Sequence, residues 1–143
     1  MEDQKIRVKA MCLFVNDGKI LVAKGTAKTT NESFYRVIGG SLNFQEKSGD
    51  GIRREIREEL GCEIENLKLL KIVENIFTFD NKPGHNICFL YGGELSNKEL
   101  YKQDKILVKE PYEEFYAVWV SVSEILNGDI PLYPELDYSE FAK

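Results

Sequence analysis

The sequence lacks features on which several classes of protein depend. It has three cysteines, an odd number with no CxxC pair, and only one histidine, His85, so a zinc site would be hard to assemble. No apolar run approaches the roughly 20 residues that cross a bilayer. The first residues, MEDQKIRVK, lack the apolar core of a secretory signal. We therefore expect one cytoplasmic domain over residues 1–143 and no membrane partner.

Clustered positive charge is also missing. The net charge is −5 and no basic tract is present, which argues against binding to a nucleic-acid backbone. A small phosphorylated ligand remains compatible with this charge, because a bound metal ion could offset it. Cys12 and Cys88 lie in strand-like apolar runs, so we interpret them as small buried hydrophobic residues rather than as nucleophiles.

The composition, 43% hydrophobic and 30% charged residues, is typical of a soluble globular protein. The order of the predicted helices and strands indicates an α+β fold. A helix is predicted over residues 49–60, capped by Ser48 and stopped by Gly61, and a short one over 124–126, capped by Ser121 or Ser123. Residues 25–33 and 98–111 read as loops, and the aromatic tail after Pro131 is expected to dock. The predicted strands cover residues 6–15, 20–23, 34–38, 67–79, 86–95 and 115–120, with hairpin turns at 16–19 and 80–84.

The segment 53–62, RREIREELGC, places three glutamates on one flank of the predicted helix. Since an α-helix turns by about 100° per residue, Glu55, Glu58 and Glu59 fall within roughly 100° of arc. Carboxylates at this spacing repel each other, and more strongly at the edge of a core. A hard divalent cation, Mg²⁺ or Mn²⁺, could hold them together. The apolar stripe beside them, which we expect to pack on the sheet, consists of Ile52, Ile56 and Leu60.

A second interpretation of this segment is a solvated face with ion pairs between glutamates and arginines, and residues 53–62 alone leave it open. The upstream residues favour the first interpretation. From Gly40 the chain reads GSLNFQEKSGDGIRREIREELGC. This resembles the Nudix box, G-x5-E-x7-R-E-U-x-E-E-x-G-U, where U is a bulky aliphatic residue. Cys62 at the last U, Gln45 and Gly51 depart modestly from the common pattern, and Gly51 is expected to let the helix approach the sheet closely.

The resemblance covers about residues 6–134 and implies a fold, a reaction and a cofactor. The fold would be an α/β/α sandwich around a mixed sheet, with the box forming loop–helix–loop. The reaction would be cleavage of a pyrophosphate bond in a small molecule, a nucleoside diphosphate linked to another group, with Mg²⁺ or Mn²⁺. Relatives commonly dimerise, so a homodimer is an expectation of the resemblance alone.

The resemblance also implies a role for each residue of the box. Arg54 would hold a glutamate of the stripe, and Glu46 would brace the loop by hydrogen bonds. One of the box glutamates, or a glutamate outside the box, would deprotonate the attacking water. The metal ligands implied by position are Glu55, Glu58, Glu59 and the backbone carbonyl of Gly39.

Candidates outside the box are weaker, and each has an ordinary structural alternative. Arg36 could meet a phosphate. His85 could contact substrate or act as a base, or be a turn residue. An acidic residue could supply a base or an extra ligand, or belong to a solvated surface; the candidates are Glu74, Glu110, Glu113 and Glu114. Aromatic residues could stack on a base, although core packing explains each as well; they are Phe34, Tyr35 and Phe79.

Three functions are compatible with the sequence. The first is the metal-dependent pyrophosphohydrolase. The second is a non-catalytic nucleotide-sensing module, although such domains usually lose box glutamates and this chain keeps them. The third is an isomerase on the same fold, for which Cys62 is poorly placed. Residues 69–79 carry no proline or tyrosine of the kind that marks particular substrate subgroups, so the substrate is left open.

Overall fold

The structure, a computed structural model, describes residues 4–26, 29–31, 33–110 and 113–141, without the side chains of Lys109, Glu110 and Glu113. It contains helices α1 (Ser48–Leu60) and α2 (Val122–Leu126) and 3₁₀ turns at Lys98–Lys102 and Tyr138–Glu140. The strands are β1 (Arg7–Leu13), β2 (Val15–Asn16), β3 (Lys19–Thr26), β4 (Ser33–Ser41), β5 (Ile64–Phe79), β6 (Lys82–Leu95), β7 (Lys105–Glu110), β8 (Glu113–Ser121) and β9 (Leu132–Tyr133).

The strands form one mixed sheet in the order β5-β6-β1-β4-β3-β8-β7, with β2 on β3 and β9 on β4. The pairs β1–β6 and β4–β9 are parallel and the other pairs are antiparallel. β4 changes partners along its length. Its first half pairs with β3 and β9, whereas its last residues pair with β1. The sheet therefore opens into a cleft at this point.

Each face of the sheet carries its own apolar core, because successive side chains of a strand point to opposite faces. In β1, Ala10 and Cys12 join the core beneath α1. Met11 and Leu13 join the second core, which α2 and the C-terminal tail cover. Tyr138 in that tail is 1% exposed. The predicted α+β fold, helices on both faces of a mixed sheet, and the docked tail are confirmed.

The predicted central helix is also confirmed, but its start differs. α1 ends at Gly61 in the left-handed conformation (φ 68°), whose N–H bonds to the carbonyl of Arg57. The cap at the other end is Lys47, without a side-chain bond. The hydroxyl of Ser48 instead bonds to that of Tyr91 at 2.6 Å. The prediction of Ser48 as cap was wrong, because a contact with the sheet takes its side chain.

Other boundaries moved for tertiary reasons. The segment 98–111, predicted as a loop, contains the turn Lys98–Lys102 and strand β7, which pairs with β8 along its whole length; Pro111 lies outside the described residues. The predicted loop 25–33 is shorter, because its ends belong to β3 and β4, and residues 27, 28 and 32 also lie outside the description. No helix among the described residues has the length and apolar character needed to cross a membrane.

Candidate active site

The three glutamates lie at different depths on one flank of α1. Ile52 and Ile56 are fully buried against the sheet, and this anchors the helix so that its acidic flank borders the core. The exposed fraction is 7% for Glu59, and for the side chains of Glu55 and Glu58 it is 16% and 55%. One carboxylate is thus buried, one lies at the boundary and one is open to solvent.

Arg54 joins this flank to the preceding loop. Its Nη1 donates to Glu55 Oε1 at 3.0 Å and to Glu58 Oε1 at 2.7 Å. Its Nε and Nη2 donate to the two carboxylate oxygens of Glu46 at 2.8 and 3.0 Å, the paired geometry for which guanidinium is suited. Nη2 also donates to the carbonyl of Ser41. One cation therefore fixes three carboxylates and a backbone carbonyl.

Glu46 stabilises the loop between β4 and α1. Its Oε1 accepts a hydrogen bond from the backbone N–H of Asn43 at 3.0 Å, in addition to the bonds from Arg54. The Arg54 hydrogen bonds, followed by that from Asn43, lower the pKa of Glu46 to about 2. The loop also packs on Gly51, where a Cβ would lie 2.4 Å from Leu42 Cδ2. Gly51 therefore allows this loop to approach the helix closely. The expectation that it lets the helix approach the sheet was wrong.

The two glycines that end β4 bring the strand against its neighbours. A Cβ on Gly39 would lie 2.1 Å from the carbonyl oxygen of Ala10. A Cβ on Gly40 would lie 2.5–2.7 Å from the carboxylate atoms of Glu55. At Gly39 a side chain would meet backbone, so that position requires glycine, whereas the absence of a side chain at Gly40 allows Glu55 to rest directly on the strand.

Two cations, Lys9 and Arg36, line the cleft near the acidic flank. Arg36 Nη1 donates to the carbonyl of Gly39 at 3.3 Å, and its guanidinium lies 5.2 Å from the ring centre of Phe115. Burial, followed by the positive charge of Arg36, lowers the pKa of Lys9, while Glu55 acts in the opposite direction. Lys9 and Arg36 are thus close enough to repel each other, and an anion between them would relieve that repulsion.

The cleft beside these cations holds a cavity of about 200 Å³. Its residues come from five strands that are far apart in sequence, and only Phe34, Arg36 and Phe79 were candidates from the sequence. The polar residues that sequence reasoning missed are Lys9, Asn75 and Asn86. A signal did exist, since Asn75 interrupts the alternation of apolar residues in β5. The full lining is Lys9, Met11, Phe34, Arg36, Asn75, Phe77, Phe79, Asn86 and Tyr133.

The remaining sequence candidates lie elsewhere. His85 lines an adjoining cleft of about 510 Å³ that shares Lys9, Phe77 and Asn86 with the cavity, so a substrate contact there stays a prediction. Glu74 is exposed and, by strand alternation, points to the opposite face from Asn75. Glu114 is exposed beside Arg36 on the far side of β4. The side chains of Glu110 and Glu113 lie outside the described part of the chain.

The cysteines do not supply a nucleophile. Cys12, Cys62 and Cys88 are all buried, and burial raises the pKa of Cys12 and Cys88, which keeps these thiols protonated. None of the three lines the cavity. The isomerase alternative therefore gains no support, and the interpretation of Cys12 and Cys88 as small buried hydrophobic residues is confirmed.

The donor atoms on this flank suit a hard divalent ion, because carboxylate and carbonyl oxygens are the ligands that Mg²⁺ and Mn²⁺ prefer. Among the described residues, however, no three acidic, cysteine or histidine side chains are gathered closely enough to hold an ion as they stand. Arg54 holds Glu55 and Glu58 instead. Binding an ion would thus require the side chains on this flank to move closer together.

The Arg54–Glu46 pair predicts a specific dependence of stability on pH in the metal-free protein. Because the pKa of Glu46 is lower in the folded protein than its ordinary 4.5, its contribution is present above about pH 4.5 and is lost as the pH falls towards 2. In Arg54→Met the largest part of that contribution is lost and the hydrogen bond from Asn43 remains, so the urea midpoint should fall less between pH 6 and pH 3 than in the parent. Arg53→Met, on the same helix, is the control and should retain the parental pH dependence. An equal fall for the parent and Arg54→Met would contradict this assignment.

Comparison with solved structures identifies the architecture. The chain resembles a NUDIX hydrolase from Nitrosomonas europaea at 19% identity, over 87% of this chain and 78% of that one, with a TM-score of 0.61. It resembles a MutT NUDIX hydrolase from Burkholderia pseudomallei at 24% identity, over 84% of this chain and 86% of that one, with a TM-score of 0.56. It also resembles a MutT protein from Methanosarcina mazei at 22% identity, over 89% of this chain and 85% of that one, with a TM-score of 0.57. At these identities the likeness establishes the fold.

The family follows from the sequence model. The NUDIX domain model matches residues 5–138, which is most of the 143 residues. The chain belongs to the NUDIX domain family, and the predicted class of enzyme, a Nudix pyrophosphohydrolase, is confirmed.

Proposed function

We propose that this domain hydrolyses a pyrophosphate bond in a nucleoside diphosphate derivative and that it requires Mg²⁺ or Mn²⁺. The observation that carries the proposal is the position of Arg54. It holds Glu55 and Glu58 on the same flank as the buried Glu59, and Glu55 rests on Gly40, the residue that follows Gly39. The family to which the chain belongs supports this class of reaction.

The proposed ligands of the ion are Glu55, Glu58, Glu59 and the carbonyl of Gly39. When bound, a divalent ion supplies positive charge to phosphate oxygens and lowers the pKa of water. Of the three glutamates, Glu58 is the most exposed, and this makes it the group best placed to accept a proton from water entering from solvent. Which carboxylate accepts that proton is tested below by substitution.

The protein's own cations orient the substrate. Lys9 and Arg36 line the cavity, and Arg36 reaches the carbonyl of Gly39. A diphosphate lying across these two side chains would have one end in the cavity and the other beside Glu55. This arrangement places the scissile bond on the acidic flank and leaves the cavity for the remainder of the substrate. We propose that the substrate is a small molecule and that the enzyme acts in the cytoplasm.

Metal removal is the direct test of this function. A panel of nucleoside diphosphate derivatives is incubated with Mg²⁺ or Mn²⁺, and released phosphate is read after coupling to a phosphatase. We expect turnover of at least one compound, its loss with excess EDTA and its recovery when the ion is restored. The melting temperature with EDTA is the control for unfolding.

The same panel separates the enzyme from the sensor. Binding of a nucleotide, measured by calorimetry, without hydrolysis by either ion would overturn the proposal and favour the non-catalytic module. Hydrolysis that continues at full rate in EDTA would show that the acidic flank acts without a metal. A homodimer, expected from relatives, would be read from light scattering and does not affect either result.

A further inference from the structure

The floor of the cavity contains two asparagines that face each other across neighbouring strands. Asn75 of β5 pairs directly with Asn86 of β6, which places their side chains about 5 Å apart at Cβ. They are 6% and 7% exposed. The next residues on the same face, Val73 and Cys88, belong to the apolar core. Two polar side chains therefore stand where the pattern of both strands favours apolar ones.

These carboxamides have no protein partner among the described residues. None of the hydrogen bonds found there involves the side chain of Asn75 or of Asn86, yet both line the cavity. Their amide atoms are not sealed from solvent but open on the cavity, so their hydrogen bonds have to come from water or from a ligand. A ligand with a polar edge could replace that water.

The walls around the asparagines indicate what that ligand is. Phe34 packs edge-to-face on Phe79 with ring centres 4.9 Å apart, and the ring centres of Phe77 and Tyr133 are 6.0 Å apart. All four rings line the cavity. Aromatic rings bind flat, unsaturated rings by stacking, and a carboxamide offers one donor and one acceptor to the edge of such a ring. A nucleobase combines both properties, a flat unsaturated ring and an edge that carries hydrogen-bond donors and acceptors.

We propose that Asn75 and Asn86 form the recognition site for the nucleobase, which inserts between the four aromatic rings and places its polar edge on the two carboxamides. This deepens the proposed function and rests on it for the position of the diphosphate. With the base in the cavity, Lys9 and Arg36 lie between it and Glu55. The two side chains that select the substrate, Asn75 on β5 and Asn86 on β6, therefore lie outside the motif of residues 40–62.

Side-chain amide NMR tests the site without metal and without hydrolysis. The ¹⁵N-labelled protein is titrated in EDTA with the four common ribonucleoside 5′-monophosphates and with ribose 5-phosphate. We expect the side-chain amide signals of Asn75 and Asn86 to shift with at least one nucleotide and to stay in place with ribose 5-phosphate. Equal shifts with ribose 5-phosphate, or no shift with any nucleotide, would overturn the proposal.

Substitution distinguishes recognition from a structural role. Asn75→Leu and Asn86→Leu each remove a buried amide and keep a similar size. Each should weaken the binding of the responding nucleotide at least tenfold while the melting temperature stays equal or rises, because leucine adds apolar area at a nearly buried position and no hydrogen bond to the protein is lost. Asn127→Leu, at an exposed position after α2, is the matched control and should change neither quantity. A lower melting temperature with unchanged affinity would assign the asparagines to the fold instead.

The outcomes for this site and for the proposed reaction are separable. If the protein hydrolyses a nucleotide in a metal-dependent way but that nucleotide shifts neither asparagine signal, the recognition site alone is overturned. Nucleotides that shift both signals in a protein that hydrolyses nothing in the metal panel would support the recognition site and overturn the reaction.

Discussion

Glu58→Gln is expected to lower kcat by about 10²–10⁴-fold, the range associated with loss of a positioned general base, with little change in melting temperature. Glutamine has nearly the same shape and still offers an oxygen to Arg54, which now bonds to Glu58 at 2.7 Å. It removes the negative charge, however, and with it the ability to accept a proton or to bind a hard cation strongly. Because the side chain is 55% exposed, folding should be nearly unaffected. Steady-state kinetics at saturating Mg²⁺ and a thermal melt check both parts.

The same helix region supplies a closely matched control. Glu63 is 56% exposed and pairs with Arg57 at 2.7 Å, so it has the environment of Glu58 but lies beyond the end of α1. Glu63→Gln should keep the parental kcat/KM. Equal kinetics for Glu58→Gln, Glu63→Gln and the parent would remove Glu58 from the mechanism and return attention to Glu55 and Glu59.

Local signals in the sequence located the helix flank well. Apolar spacing put Ile52 and Ile56 against the sheet, where both are fully buried, and the glutamates followed from the geometry of a helix. Gly61 stopped the helix as its left-handed conformation permits. The hairpin at Asp17-Gly18 has the two positive φ angles, 52° and 72°, that its sequence favours. Each of these features depends on residues close together in the chain.

Features that depend on distant partners were not predictable in the same way. Within β7, Ile106 and Val108 are buried and alternate with exposed residues, but the surrounding charges made the segment read as a loop. Its strand conformation is stabilised by pairing with β8. The network around Arg54 is similar, because its bond to the carbonyl of Ser41 depends on how β4 enters the loop.

The cavity is the clearest case of a feature that could not be predicted from the sequence alone. Asn75 and Asn86 are eleven positions apart and become neighbours only through the register of the β5–β6 hairpin. Tyr133 lines the same cavity because β9 pairs with β4. A motif of fixed spacing encodes the acidic flank, whereas the proposed recognition site is distributed over strands that the fold must first bring together.

Gly40→Ala is expected to lower kcat/KM by roughly 10²-fold, the effect associated with displacing a catalytic group by about 1 Å. The added Cβ would lie 2.5–2.7 Å from the carboxylate atoms of Glu55, which is too close for both to remain. The backbone of Gly40 is not in the left-handed region, so alanine adopts it without strain and the flexible carboxylate moves instead. The fold should therefore persist, while one proposed metal ligand is misplaced. Kinetics, a thermal melt and calorimetric titration with Mn²⁺ measure the three quantities.

A second glycine-to-alanine change controls for the added methyl group. At Gly49 in α1 a Cβ would make only an ordinary contact, 3.6 Å from the Tyr91 hydroxyl, and alanine favours a helix over glycine by about 0.5–1 kcal/mol. Gly49→Ala should therefore be slightly more stable than the parent and equally active. If Gly40→Ala keeps the parental kcat/KM and Mn²⁺ affinity, Glu55 does not need its place against β4. The acidic flank would then act through Glu58 and Glu59, because a ligand that tolerates such displacement is not positioning the reaction.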